Sequence, residues 1–372
     1  MTAARPAPGL AAREATLDQV DPAAWDALAG GNVYLSHAWL RSFADAAAED
    51  ALAVVEGEGG RLVGGVPLSV LPGPNENPRY DVFELCGAPG DDRSRWLPQL
   101  VAGGRSGYAG ALLRSDAQTA GPLVAAIAAR AADCGSACVP YLAREDAELV
   151  AAGLERANAV VFAGARAVLE VEWPDFDGYV ASLGSSRRSI VRRDLRAFEE
   201  AGLSIRTEGL GRVAELAPLL SNVRRRHGVW GESVASCEQY LGACAAPGLA
   251  ERSVVFLCEE RGETIAFALA YRFGDTLTLR CVGLDYARCG RRAEYFNVLF
   301  YAPIAHAAEA GLAALDFSTE ALDAKLLRGC MAVPLWTALA PAAGASPREL
   351  AERSAETLSA WEERYRPLLR AS

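Results

Sequence analysis

The chain has 372 residues, 51% hydrophobic and 23% charged, the composition of a globular protein long enough for two domains and not of a disordered one. A formal net charge of −10 excludes a generally basic, nucleic-acid-coating surface while leaving room for a local basic groove. No run approaches the roughly 18 apolar residues that span a bilayer, and the N-terminal MTAARPAPGLAAREATLD, with Arg13 and Glu14, lacks the apolar core of a signal peptide. Nine cysteines without a CxxC pair, and only three histidines (His37, His227, His306), leave a metal site with few ligands, so none is expected. Cys134 and Cys138 have the spacing of neighbours on a helix. These features fit a reduced, cytoplasmic protein with no membrane span.

In chain order, helical patterning over residues 22–43 precedes residues 51–71, which alternate apolar side chains, break at a Gly-rich turn and resume. That is a β-hairpin pattern. PLVAAIAA (122–129) has the length of a core helix, and residues 157–179 contain a strand leading into Trp173-Pro174 and a new helix. Helical patterning over 213–226 then precedes a second hairpin at 252–273, whose turn glycine Gly262 superposes in register on Gly60 of the first. A strand at 276–283, an Arg-rich turn, a further strand, a short helix around Lys325 and an amphipathic helix at 347–369 follow. The order helix, hairpin, strand, helix, strand occurs twice. The expectation is an α/β (α+β) chain of mixed sheets flanked by helices, with duplicated domains at 1–165 and 166–340 and a C-terminal helix, 341–372, packed on the body.

Lys325 is the only lysine among 37 basic residues. Ser318 or Thr319 can cap its short helix, Glu320 suits the positive end and Gly329 can close it. Lys325 and Arg328, at i and i+3, share a face. Cations near a helix end complement its dipole, which accounts for the charge but not for the choice of lysine. A compact ammonium differs from a guanidinium where one oxygen must be met at short range. The stretch SSRRSIVRRDLRAF (185–198) places Arg188, Arg192 and Arg196 every four residues beside an apolar stripe of Val191, Leu195 and Phe198. Such a run is either a solvated face or a phosphate-binding strip. The second basic cluster, NVRRRHGVW (222–230), falls at a helix end, where the dipole explains the charge; Trp230 can stack on a base or pack in the core, and core packing is the expectation.

The doubled plan, with YLSHAWLRSF (34–43), GYVASLGSSRRSIVRRDLRAFEEAGL (178–203) and GLAALDFSTEALDAKLLRGC (311–330), resembles the Fem-like (FemAB-like) branch of the GNAT acyltransferase superfamily. That resemblance implies tandem GNAT folds and an acyl-transfer activity. It assigns Lys325, with Arg328, to holding the acyl donor and polarising its carbonyl, and places His37 and Tyr108 along the acceptor side. Asp316, Glu320 and Glu294 are candidates for steering the ammonium or taking a proton. A GNAT domain that uses acetyl-CoA normally presents a glycine-rich turn whose backbone N–H groups hold pyrophosphate. Here the corresponding YARCGRRAEYF (286–296) has arginine in a glycine slot, leaving Arg288, Arg291 and Arg292 to meet phosphates by side chain. The matching first-domain stretch, GAPGDDRSR (87–95), carries two aspartates that repel phosphate.

Three functions follow from this reading. One is an amide-forming transferase that needs no cofactor. It takes an aminoacyl group from the 3′ end of aminoacyl-tRNA to a small amine-bearing metabolite or cell-wall-type precursor, with Arg188, Arg192, Arg196 and the 288–292 arginines as donor contacts. Another keeps the chemistry with acyl-CoA as donor. The last is a non-catalytic double-GNAT binding module. The acceptor and the oligomeric state are not encoded legibly.

Overall fold

The computed structural model describes residues 10–87, 92–290 and 292–369, and its chain divides into two compact units. One comprises the chain through Ala165 together with Pro334–Arg366; the other comprises Arg166–Val333 and the chain from Pro367.

In the first unit the alternating residues become β1 (Ala12–Ala15), β2 (Glu49–Glu56) and β3 (Leu62–Leu71), each antiparallel to the next. β4 (Gln99–Ala102) continues antiparallel to β3, while β5 (Leu113–Arg114) pairs β3 off this path. β6 (Ser136–Leu142) lies parallel to β4, a pairing that needs a crossover, supplied by the helix Ala120–Ala132. That helix buries Leu123, Val124, Ile127 and Ala131 at helical spacing, against Val55, Val66, Leu100 and Leu142 of the strands. Each such fully buried aliphatic side chain contributes about 1.5–3 kcal/mol.

The second unit takes β7 (Ala159–Glu170) from Arg166 onward, then β8 (Ser204–Glu208), β9 (Ser253–Glu260), β10 (Glu263–Phe273), β11 (Thr276–Leu284) and β12 (Ala314–Asp316). Its spatial order is β8-β9-β10-β11-β12-β7, with β11 and β12 parallel and every other neighbour antiparallel. The first unit repeats this order as β1-β2-β3-β4-β6-β13, where β13 (Met331–Ala340) pairs β6 antiparallel through Trp336–Ala340. The duplication expected from the hairpins is therefore carried by the whole strand order. Each unit is a mixed sheet with flanking helices, and the C-terminal helix Pro347–Leu369 is present. In the first unit its Trp361 meets Phe162 edge to face at 5.5 Å.

β10 is a central strand, and Ile265 to Tyr271 are all fully buried. The helix Val213–Arg226 lies so close to β11 that a Cβ on Gly283 would sit 2.8 Å from the Leu220 nitrogen, so glycine is required there. The two hairpin turns use left-handed glycines, Gly60 at φ 75° and Gly262 at φ 82°.

Some expectations are corrected by the coordinates. The helical stretch 22–43 splits into Pro22–Ala29 and His37–Ser42, because Gly30 turns to φ 58° and the Asn32 side chain accepts from Tyr34 N. Cys134 and Cys138 do not share a helix; the helix ends at Ala132 and Cys138 is in β6. Residues 334–340, assigned from sequence to the second domain, belong to the first unit, because β13 crosses the boundary to pair β6. Among the described residues no helix is long and apolar enough to cross a membrane.

Candidate functional site

The second unit concentrates its buried polar side chains at the end of β12. β12 follows β11 for only three residue pairs, Thr276–Ala314 to Thr278–Asp316. The chain then turns toward β7, where Phe317 N donates to Ala167 O and Ala167 N to Ser318 O. Two non-glycine residues, Ser318 (φ 61°) and Ala321 (φ 52°), hold left-handed conformations in this turn. Such strain persists only where surrounding structure enforces it, and it is common at functional sites.

The turn leads into the helix Leu322–Leu326, which carries Lys325. The expected Ser318 or Thr319 cap is not used: the residue before the helix is Ala321, with no side-chain cap. Ser318 is instead drawn back, its N–H donating to Asp316 Oδ1 at 2.7 Å. Gly329 does follow the helix in a left-handed conformation, at φ 88°. Lys325 is 3% exposed, and its Nζ donates to Phe317 O and, at 3.1 Å, to Ser318 O. Burial pulls the ammonium pKa down from 10.5 to about 8, opposed by the charges of Cys330, Asp316 and Glu320. Two of its three protons are thus committed to backbone oxygens. Asp316 is held by Arg166 at 2.8 Å.

Arg328, also 3% exposed, donates from Nη2 to Asp194 Oδ2 at 3.0 Å and from Nη1 to Ala324 O. Its guanidinium lies over the Phe296 ring, 3.7 Å from the centroid. Tyr301 Oη donates to the same Asp194 oxygen at 2.7 Å, and Tyr179 Oη donates to Arg328 O at 3.0 Å. Burial raises both phenols well above their ordinary pKa, so they remain donors. Tyr301 ends a π-helical stretch, Asn297–Tyr301, a local widening frequent at functional sites. Arg328 Nε is buried without a hydrogen-bond partner.

The Arg-rich turn after β11 is arranged differently from the phosphate reading. Arg288 pairs with Glu260 at 3.0 Å and with Glu263, and Arg292 pairs with Glu260 and, at 2.8 Å, with Glu294. Arg292 and Arg288 hold the Glu260 carboxyl below its usual range. Glu294, 2% exposed, accepts from Gly290 N at 2.9 Å and Arg292 N at 3.0 Å. The N–H groups of this turn therefore close on the protein's own carboxylate. Arg291 and residues 88–91 lie outside the described residues.

On the helix Ser185–Glu200, Arg188 is tied to Ala181 O and Leu183 O, which leaves it less free than a phosphate ligand would be. Arg192 and Arg196 are exposed, with Arg196 Nε donating to Arg192 O. His37 and Tyr108 belong to the first unit. His37 Nε2 lies 3.0 Å from Leu17 O, and Tyr108 packs against Tyr80 and Tyr141 beneath Arg79. That unit also holds a pocket lined by Leu40, Phe43, Asp50, Pro67, Ser69 and Arg105.

The structure thus buries both Lys325 and Arg328, the lysine on Phe317 O and Ser318 O and the arginine on Asp194, Ala324 O and Phe296, and joins Arg288 to Arg292 through Glu260. Sequence reasoning missed Asp194, Tyr301 and Tyr179. Asp194 was findable: Arg187, Val191, Asp194 and Phe198 recur along one helical face, and all four are buried. Trp230, expected in the core, is 50% exposed.

Residues 185–326 match the family model of the acetyltransferase (GNAT) domain, a span that includes Lys325 and ends before Arg328. No curated protein matches the sequence. Among solved structures, FemX is similar over 88% of this chain and 96% of its own, at 12% identity and TM-score 0.60. A conserved protein of unknown function from Bacteroides thetaiotaomicron is similar over 88% and 98%, at 12% identity and TM-score 0.56. The C-terminal domain of an Agrobacterium fabrum protein described as a lysylphosphatidylglycerol synthetase is similar over 90% and 93%, at 13% identity and TM-score 0.53. The chain thus has the fold of these solved structures, and its residues 185–326 match the GNAT acetyltransferase domain.

Proposed function

We propose that this protein is an amide-forming acyltransferase that moves an aminoacyl group from aminoacyl-tRNA to the amine of a small metabolite or cell-wall-type precursor. The observation that carries the choice of donor is the Glu294 carboxylate. It accepts the backbone N–H groups of Gly290 and Arg292 and the Arg292 Nε, in the place where a CoA-using GNAT domain offers donors to pyrophosphate. A CoA pyrophosphate would have to displace a buried anion that is already neutralised. An aminoacyl ester needs no such cradle.

In the reaction, the acceptor nitrogen attacks the ester carbon, a C–N bond forms and the bond from that acyl carbon to the ribose oxygen breaks. The proton lost by the amine balances the one gained by the ribose hydroxyl. Lys325, with two donors fixed on Phe317 O and Ser318 O, keeps a third N–H for the developing oxyanion. Arg328, gripped by Asp194 and braced on Phe296, holds the C-terminal end of the Lys325 helix. His37 and Tyr108 are proposed on the acceptor side, Arg192 and Arg196 on the donor RNA, and the cytoplasm as the place of reaction.

The test mixes labelled aminoacyl-tRNA with a panel of amines. Product that vanishes when the donor is pretreated with ribonuclease supports the proposal; product insensitive to ribonuclease counts against it. The match to the acetyltransferase domain favours acyl-CoA as the second reading. Calorimetric binding of CoA, with transfer in the absence of RNA, would establish that donor instead.

A further inference from the structure

The helix Val213–Arg226 ends in Arg224, Arg225 and Arg226, and its continuation through His227 to Trp230 is exposed. Arg224 fixes this loop from beneath: Nη1 donates to Gly231 O at 3.0 Å, and the guanidinium lies 4.3 Å from the Tyr240 ring centroid. Arg226 lies 4.3 Å over the Tyr286 ring. Among the described residues none of these three arginines has a carboxylate partner, in contrast to Arg288 and Arg292. Trp230 and Val229 stand 50% and 41% exposed beside them. Asn222 Nδ2 donates to Leu284 O, which places this helix end at the C-terminal end of β11, next to Tyr286 and the turn that leads to Glu294.

Helix-dipole complementarity explains the cations but not an exposed tryptophan. Arginines without carboxylate partners, set against aromatic rings and beside an exposed tryptophan, are the chemistry that takes a phosphodiester backbone and stacks its bases. A second copy of this chain is a poor occupant, because a symmetric contact would oppose one arginine cluster to another. We infer that the ledge formed by Arg225, Arg226, Trp230 and Tyr286 binds the single-stranded 3′ end of the donor RNA. This rests on the aminoacyl-tRNA reading above, and it supplies the local basic surface that a chain of net charge −10 requires.

The experiment measures fluorescence anisotropy of a labelled single-stranded RNA ending in CCA-3′ with the full chain. Trp230→Ala is expected to weaken binding about 5- to 100-fold, the span of one lost base stack, while Trp230→Phe retains most of it. Arg226→Ala is expected to lower the slope of log K against log salt by about 0.7. Parallel titrations use CoA and phosphatidylglycerol vesicles. Unchanged RNA affinity in Trp230→Ala overturns the inference, as does Trp230-dependent binding of CoA or vesicles without RNA. The KM for aminoacyl-tRNA separates the two levels. Transfer with an unchanged KM in Trp230→Ala removes the ledge and leaves the proposed function standing; no RNA binding and no transfer in the wild type removes both.

Discussion

Removing Asp194 is the sharpest structural perturbation of the site. Its carboxylate is 5% exposed and serves two partners, Arg328 Nη2 at 3.0 Å and Tyr301 Oη at 2.7 Å. In Asp194→Ala the guanidinium of Arg328, itself 3% exposed, keeps Ala324 O and the Phe296 face but loses its counter-charge. Breaking a buried ion pair from one side costs about 3–5 kcal/mol. The Phe296 stack, at 3.7 Å, is present before and after the substitution and cancels, so a loss of about 3–5 kcal/mol is expected. Adding Arg328→Met removes the stranded charge, and the double variant is expected to be more stable than Asp194→Ala alone. Urea unfolding of the four proteins in the cycle measures this. A loss under about 1 kcal/mol for Asp194→Ala, or additive losses in the double variant, would refute the reasoning.

Other outcomes follow from the same geometry. Lys325→Met keeps the side-chain length and removes the ammonium; kcat is expected to fall by about 10²–10³, the scale of one oxyanion donor, with the fold retained by circular dichroism. A rate within tenfold of wild type would remove Lys325 from the chemistry. Glu294→Ala frees the N–H groups of Gly290 and Arg292; at least tenfold tighter CoA binding by calorimetry is expected, and unchanged binding would show that Glu294 does not block the cradle. Lys325 also sets a pH dependence. Its folded pKa of about 8 lies below 10.5, so the unfolded chain binds more protons between those values, and stability rises with pH across that window. Below pH 8 both states are protonated and the burial cost is fully present. The displacement is worth about 3 kcal/mol, read as the gain of wild type relative to Lys325→Met from pH 7.5 to 10.5. A constant difference between the two proteins would contradict it.

Much of the architecture was legible because it is local. The hairpins at 51–71 and 252–273 announce themselves by alternation and a turn glycine, and the helices 185–200 and 213–226 by period. β13 was harder to place, because its pairing with β6 joins residues far apart in sequence, a choice no local pattern encodes. The lone lysine pointed to an ammonium that meets an oxygen at short range, but its backbone partners Phe317 and Ser318 depend on left-handed turns at Ser318 and Ala321, where no glycine marks the conformation. The arginines of 286–296 read as phosphate ligands because Glu260 and Glu263, their partners, come from the neighbouring hairpin. Trp230 looked like core because a tryptophan after a helix usually is; only its surroundings show that it is not.

The most direct measurement uses the fact that the chain holds one lysine. Labelling with 13Cε-lysine gives a single NMR signal, which can be titrated with pH and with a non-hydrolysable 3′-aminoacylamido-adenosine. A midpoint near 8, and a change in that signal when the analogue binds, is the expected result. A midpoint near 10.5, or saturation by the analogue with the signal unmoved, would contradict a buried ammonium that meets the donor's carbonyl.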